Sequence, residues 1–167
     1  GAFAALKDTG EVVTWGDAAY GGVCSAAADR LAAGVSFITG SGGAFAALKD
    51  SGEVVTWGRA ECGGDCSAVA DRLVAGVSSI TGSAGAFAAL MDTGEVVTWG
   101  DAYSGGDCRA VADRLAAGVI SITGNEGAFA ALKDTGEVVT WGPACSGADC
   151  SAVAERLAAG VSSITGS

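Results

Sequence analysis

Six cysteines have the most distinctive spacing among the reactive side chains of this 167-residue chain. Cys24, Cys66, Cys108 and Cys150 recur every 42 residues, and Cys62 and Cys145 precede two of them by four and five residues. Thiols placed this way can form local disulfides, Cys62 with Cys66 and Cys145 with Cys150, leaving Cys24 and Cys108 as thiols. The alternative is a set of small, reduced core residues. Zinc is the weakest reading, because the two close pairs lie two units apart and the chain has no histidine. Disulfides would place the protein outside the cytosol or in an oxidising lumen, which is therefore the expected compartment.

Acidic turns offer a second chemistry. Asp8-Thr9-Gly10-Glu11 and its three copies put two carboxylates in each turn. Calcium needs six or more oxygens, so turn geometry explains the Asp and Gly better than an ion does. A paired-carboxylate hydrolase is disfavoured too, since all copies look alike. Trp15, Trp57, Trp99 and Trp141 also recur every 42 residues. They are either aromatic platforms for sugar or peptide, or strand-end packing residues that bury a large area, and packing is the expectation. The chain has no phosphate loop, nucleophile elbow or dinucleotide fingerprint. The sequence therefore predicts no enzyme, no catalytic residue, no metal and no cofactor.

The segment after each Trp-Gly differs most between copies. It reads Asp17-Ala18-Ala19-Tyr20, Arg59-Ala60-Glu61-Cys62, Asp101-Ala102-Tyr103-Ser104 and Pro143-Ala144-Cys145-Ser146. Variation confined to one loop on a uniform frame is either drift or a partner-facing rim. On the second reading the expected anchors are Tyr20, Arg59, Glu61, Tyr103 and Arg109, since Tyr and Arg are enriched at binding hot spots.

The elements that must carry these residues come from repetition. Gly-Ala-Phe-Ala-Ala-Leu begins at Gly1, Gly43, Gly85 and Gly127, which sets repeats of 1–42, 43–84, 85–126 and 127–167 in one repeat domain. In the second repeat, Ala44–Lys49 and Val54–Trp57 are apolar runs joined by Asp50-Ser51-Gly52-Glu53, a hairpin signal with Gly52 suited to positive φ. Phe45 and Ala47 share one face of the first strand, with Ala44, Ala46 and Leu48 on the other. Val54 and Thr56 oppose Val55 and Trp57. Both faces are apolar, so both should be covered. Ser67–Ala75 predicts a short helix, capped by Asp65 or Ser67, with Val69 and Leu73 as its apolar stripe and Gly76 as its stop. Val77–Thr81 predicts a further strand, with Ile80 facing opposite Val77, followed by the next repeat's hairpin. The first hairpin has no such strand before it, and Val161–Thr165 has no hairpin after it. Pairing these two orphans would close a ring.

Composition narrows the partners. The chain is half apolar and has 28 glycines, enough for a packed core. Nineteen acidic residues against nine basic ones give a charge of −10, which argues against nucleic acid and against adsorption to anionic membranes. No apolar run approaches the roughly 18–20 residues that span a bilayer, so no direct membrane insertion is expected. No basic, apolar leader opens the sequence, and a targeting segment is accordingly expected to be absent.

Val77-Ser78-Ser79-Ile80-Thr81-Gly82, then Gly85 through Leu90, then Asp92-Thr93-Gly94-Glu95-Val96-Val97-Thr98-Trp99-Gly100, resemble the regulator-of-chromosome-condensation repeat. The match recurs in all four units and covers the strand-forming half of each. The family histidine before Ala-Leu is replaced, with Phe45 and Ala46 around that place, and the segment after Trp-Gly keeps only Gly63-Gly64. The resemblance implies a β-propeller and a protein-binding surface, and the short unit looks like the lactamase-inhibiting members. Nucleotide exchange on a small GTPase is not implied. The fold expected is mainly β with short helices, a four-repeat β-propeller or a four-repeat segment of a larger propeller or array. The function expected is a non-catalytic structural or protein-interaction module, in the setting of a larger complex. The alternatives are a self-assembling filament or surface-array protein, and a target-specific inhibitor or lectin using the variable loop.

Overall fold

The computed structural model describes residues 1–167. Its strands form four small antiparallel sheets in succession. Strands β1 (Ala2–Leu6) and β2 (Val12–Gly16) make a two-stranded sheet. The other three sheets have three strands each. Strand β3 (Val35–Gly40) pairs with β4 (Ala44–Lys49), which pairs with β5 (Val54–Gly58). Strands β6 (Val77–Gly82), β7 (Ala86–Met91) and β8 (Val96–Gly100) repeat this order, as do β9 (Val119–Gly124), β10 (Phe129–Lys133) and β11 (Val138–Trp141). Each three-stranded sheet thus takes one strand from the end of one repeat and a hairpin from the next.

The alternation read from sequence is realised. Ala44, Ala46, Leu48 and Val54 pack into one core, which also holds Phe87, Ala89, Val97 and Trp99 from the following hairpin. Ala47, Val55 and Trp57 face the opposite way, into the core shared with Val12, Leu31 and Val35 of the first unit. A third core repeats the arrangement between the third and fourth hairpins. Every interior core therefore lies between two successive hairpins. Gly52 takes φ +78° in the tight turn, as its position requires.

Two local details go beyond the expectation. The short helix is of 3-10 form over Ser67–Arg72, and in the first and third units a 3-10 turn leads into a single α-helical turn at Ala28–Leu31 or Ala112–Leu115. Segments this short gain little from α-helical hydrogen bonding, and docking of one leucine decides their shape. Leu73 is that residue here, fully buried, with Asp65 accepting from the Ser67 amide at the start. The second detail is a bulge between Val77 and Ser79 in β6. It reverses the alternation, so Val77 and Ile80 enter the same core instead of facing opposite ways.

The chain ends do not pair. Strand β1 has β2 as its single neighbour, and no strand forms after Trp141. The four sheets follow one another without bringing the last back to the first, and no closed ring results.

Candidate functional site

The variable segments after Trp-Gly lie along one rim. Each begins with a 3-10 turn, Ala18–Tyr20, Ala60–Cys62, Ala102–Ser104 or Ala144–Ser146, stopped by a glycine at positive φ. These turns are fastened from both sides. The Thr56 hydroxyl donates to the Gly64 carbonyl, and Ser41 donates to the Cys62 carbonyl at 2.8 Å. The indole Nε1 of Trp57 donates to Gly21 of the preceding unit at 3.1 Å, and Trp99 and Trp141 donate to Gly63 and Gly105 at 3.0 Å. Each of these tryptophans is buried and stacks on the phenylalanine across its hairpin, with ring centroids 5.3–5.4 Å apart. A ring of exposed aromatic platforms is therefore not what these three residues form; Trp15, 51% exposed, is the exception.

Between successive turns the rim is grooved. One groove of about 550 Å³ runs from Ala102, Tyr103 and Asp107 of the third unit to Trp141, Pro143 and Asp149 of the fourth. Its counterpart one unit earlier, about 330 Å³, is lined by Glu61, Asp65 and Val69 on one side and Thr98 and Trp99 on the other. Corresponding residues line both. The floor is apolar and nearly invariant, built from Ala, Val, Thr and Trp, whereas the lip changes from Glu61 to Tyr103.

Three of the five expected anchors meet. The Arg59 guanidinium sits over the Tyr20 ring, 5.3 Å from its centroid, and bonds to Glu61 at 3.0 Å. Glu61 holds the Arg59 pKa above its ordinary value, and the Glu61 carboxyl is held below its own by its backbone amide and by Arg59. Tyr103, 84% exposed, stands apart on the lip of the larger groove. Arg109 points outward beside that groove and forks onto Asp107 through contacts of 2.6–3.0 Å. The hydrogen bond from Arg109 lowers the Asp107 carboxyl to about 2.

Sequence reasoning missed Asp107, which holds Arg109, and the groove floor. The first was legible: in Asp-x-Ser or Asp-x-Arg the side chain accepts from the amide two residues on, here at Asp65, Asp107 and Asp149. The floor was not, because it joins residues about 35 positions apart.

All six cysteines are free thiols, so neither expected disulfide is present. Gly63 at φ +93° and Gly64 turn the chain between Cys62 and Cys66, and both side chains pack against the central core. Cys150 accepts from the Thr140 hydroxyl at 3.4 Å, while Cys145 is exposed beside Ser146. Cys24 and Cys108 pack against the two flanking cores. The argument for an oxidising compartment rested on those bridges and loses its support. The acidic turns work as turns: Glu53, Glu95 and Glu137 pair with Arg30, Arg72 and Arg114 of the preceding unit at 2.6–2.7 Å. No three His, Cys, Asp or Glu side chains stand together as a metal site. No helix is long and apolar enough to cross a membrane.

No protein-family model matches the chain, and no curated protein matches its sequence. Among solved structures, the crystal structure of human WBSCR16 is similar, with a TM-score of 0.50 and 20% identity over 84% of this chain. The match spans 45% of that protein, so this chain corresponds to less than half of its length. The likeness is one of fold: a succession of small antiparallel β-sheets.

Proposed function

We propose that the chain is a non-catalytic protein-interaction module of the regulator-of-chromosome-condensation-repeat type, which binds a protein partner along its grooved rim. One observation carries this reading. The grooves repeat with a constant apolar floor, while the exposed lip residues change from unit to unit. A frame of this kind holds its shape while offering each stretch of a partner different chemistry. Tyr103 and the Tyr20–Arg59–Glu61 cluster supply the side-chain types that dominate binding energy at interfaces. Depressed carboxyls at Glu61 and Asp107 remain charged at neutral pH, so the lip is a set of ion pairs over apolar floors. This suits an extended polypeptide with alternating apolar and charged side chains.

A photo-crosslinking side chain placed at Tyr103, and for comparison at Ser36 on a strand away from the rim, tests this in an extract of the source cells. The expected result is a discrete cross-linked protein from position 103, weakened by Arg109→Ala and Arg59→Ala and absent from position 36. Equal labelling from both positions, or none from either, would remove the rim as a binding surface.

A further inference from the structure

The rim repeats one plan, but its charged and aromatic side chains are distributed unevenly between the units. Between the first and second units the chain fills the rim with an arginine of its own. Arg59 of the second unit reaches back over the Tyr20 ring of the first, 5.3 Å from its centroid, and its guanidinium bonds to Glu61 at 3.0 Å. Its stem lies against Gly43, where a Cβ would come within 2.8 Å of the Arg59 Cδ. An aromatic face, a carboxylate and a small-residue bed together satisfy a guanidinium, which has a flat face for the ring and a fork of donors for the oxygen.

The groove between the third and fourth units offers those three features with no arginine in it. The residue at the place of Arg59 is Pro143 there. Tyr103, 84% exposed, stands on the lip, and the floor is Ala110, Val111 and Trp141. Two carboxylates, Asp107 and Asp149, complete the lining, which contains no lysine or arginine. Asp107 is already matched by Arg109, at 2.6 Å. Asp149 has no cation. It accepts from the Ser151 amide at 3.0 Å, and hydrogen bonds from Ser151 hold its carboxyl below the usual range, so it is charged at neutral pH. The smaller groove between the second and third units repeats the pattern without the exposed ring. Glu61 is matched there by Arg59, Asp65 accepts from the Ser67 amide and has no cation, and again no lysine or arginine lines the groove.

We infer that these grooves take arginine side chains from an extended, basic segment of a partner protein, an inference that rests on the rim being a protein-binding surface and specifies what it binds. In the larger groove the guanidinium forks onto Asp149, its stem follows the apolar floor, and Tyr103 covers its face as Tyr20 covers that of Arg59. In the smaller groove Asp65 is the acceptor. Charge complementarity selects this occupant. A chain of charge −10 repels acidic segments and draws basic ones toward it. Lysine fits less well, because an ammonium has neither a flat face for Tyr103 nor a fork for the carboxylate. Both grooves lie between successive units, away from the ends of the stack.

Titration of the isotope-labelled chain with acetyl-Ala-Arg-Ala-Arg-Ala-amide, followed by its amide and indole resonances, tests this. Saturable shifts are expected at Tyr103, Asp149 and the Trp141 indole, and none at Ser36. The lysine version of the peptide should bind several-fold more weakly, and the glutamate version should not bind. Asp149→Asn removes the charge while its side-chain oxygen still accepts from the Ser151 amide, and should weaken the arginine peptide about tenfold. Tyr103→Ala should weaken it about threefold. Equal binding of the lysine peptide, binding of the glutamate peptide, or an arginine affinity that Asp149→Asn leaves unchanged overturns the inference. The photo-crosslinker at position 103 separates it from the rim reading beneath it. A cross-linked partner displaced by excess arginine peptide supports both. A partner that the peptide does not displace keeps the rim as a binding surface and overturns the arginine occupant, and absence of any partner overturns both.

Discussion

The first and third hairpins have almost the same sequence and opposite surroundings. Phe3-Ala4-Ala5-Leu6 and Phe87-Ala88-Ala89-Leu90 are identical, as are Val12–Gly16 and Val96–Gly100. In the third hairpin Phe87 is fully buried and Trp99 is 4% exposed; in the first, Phe3 and Trp15 are 65% and 51% exposed. The stacking geometry is the same in both, with centroids 5.4 Å apart. The aromatic pair is thus organised within the hairpin, while its burial and its indole hydrogen bond come from the preceding unit. Cohesion in this molecule lies mostly between units.

Four measurements test that contrast. The largest difference should come from the tryptophans. Trp99→Ala empties a packed core and orphans the Gly63 carbonyl, and should cost about 3–5 kcal/mol. Trp15→Ala, in the free chain at concentrations where it is monomeric, should cost no more than about 1 kcal/mol by denaturant unfolding. Comparable losses would mean that the first unit is covered in a way the stack does not explain.

Alanine at the turn glycines comes next. Gly63→Ala imposes both positive-φ strain, roughly 1–2 kcal/mol, and a Cβ 2.6 Å from the Phe87 ring. Gly147→Ala imposes the strain alone, because nothing lies within 4 Å. Thermal unfolding should rank Gly63→Ala below Gly147→Ala, with overpacking adding about 1–3 kcal/mol.

The ion pairs should differ less. Arg72→Ala removes a partly exposed bridge to Glu95 and should cost about 0.2–1 kcal/mol, an effect that fades with added salt. Arg156→Ala should leave the stability of the monomeric chain unchanged. If both are neutral, the arginine row contributes register and not energy.

The smallest effect concerns the rim. Asp107 is depressed to about 2 by Arg109. A carboxylate with a lowered folded-state value contributes stability above its unfolded value of about 3.9 and loses that contribution as pH falls toward the folded value. An Arg109→Ala chain should therefore show an Asp107 carbon chemical-shift titration moved up only part of the way to the unperturbed range, because the residue-109 amide still donates to the carboxylate, with little change in stability at neutral pH. An unmoved midpoint would mean that the Arg109 fork does not persist in water.

The sheets were largely legible in the sequence, and the reason is local. Alternation at Ala44–Leu48 and Val54–Trp57 assigns side chains to faces directly, and the Asp-Ser-Gly-Glu turn sets the hairpin register. The third strand was legible from its place just before the next hairpin. Ile80 was misassigned because a bulge is one extra residue in an otherwise regular run, invisible in composition. The Ser67 helix was legible in sequence but its 3-10 form was not, because 3-10 and α turns use the same residues and differ by one position in hydrogen-bond partner. Cys62 and Cys66 are four apart in sequence, but bonding needs their sulfurs to meet, and with Gly63 and Gly64 turning the chain between them each packs against the central core as a free thiol. Of the rim, the lip was legible from variation between units. The floor was not, because adjacent units meet there through contacts with no local pattern.

One feature of the sheets bears on how such a chain lengthens. The hydrogen-bonded blade, from Val35 to Gly58 for example, is out of phase with the repeat counted from Gly43. A cut at the repeat boundary falls inside a blade, between β3 and β4. Because neighbouring units interlock by one strand, any window of 42 residues contains the parts of one complete step, wherever it begins. Duplication or loss of such a window in a gene restores every strand pairing at its joints, so the array can grow or shrink without selection for particular recombination points.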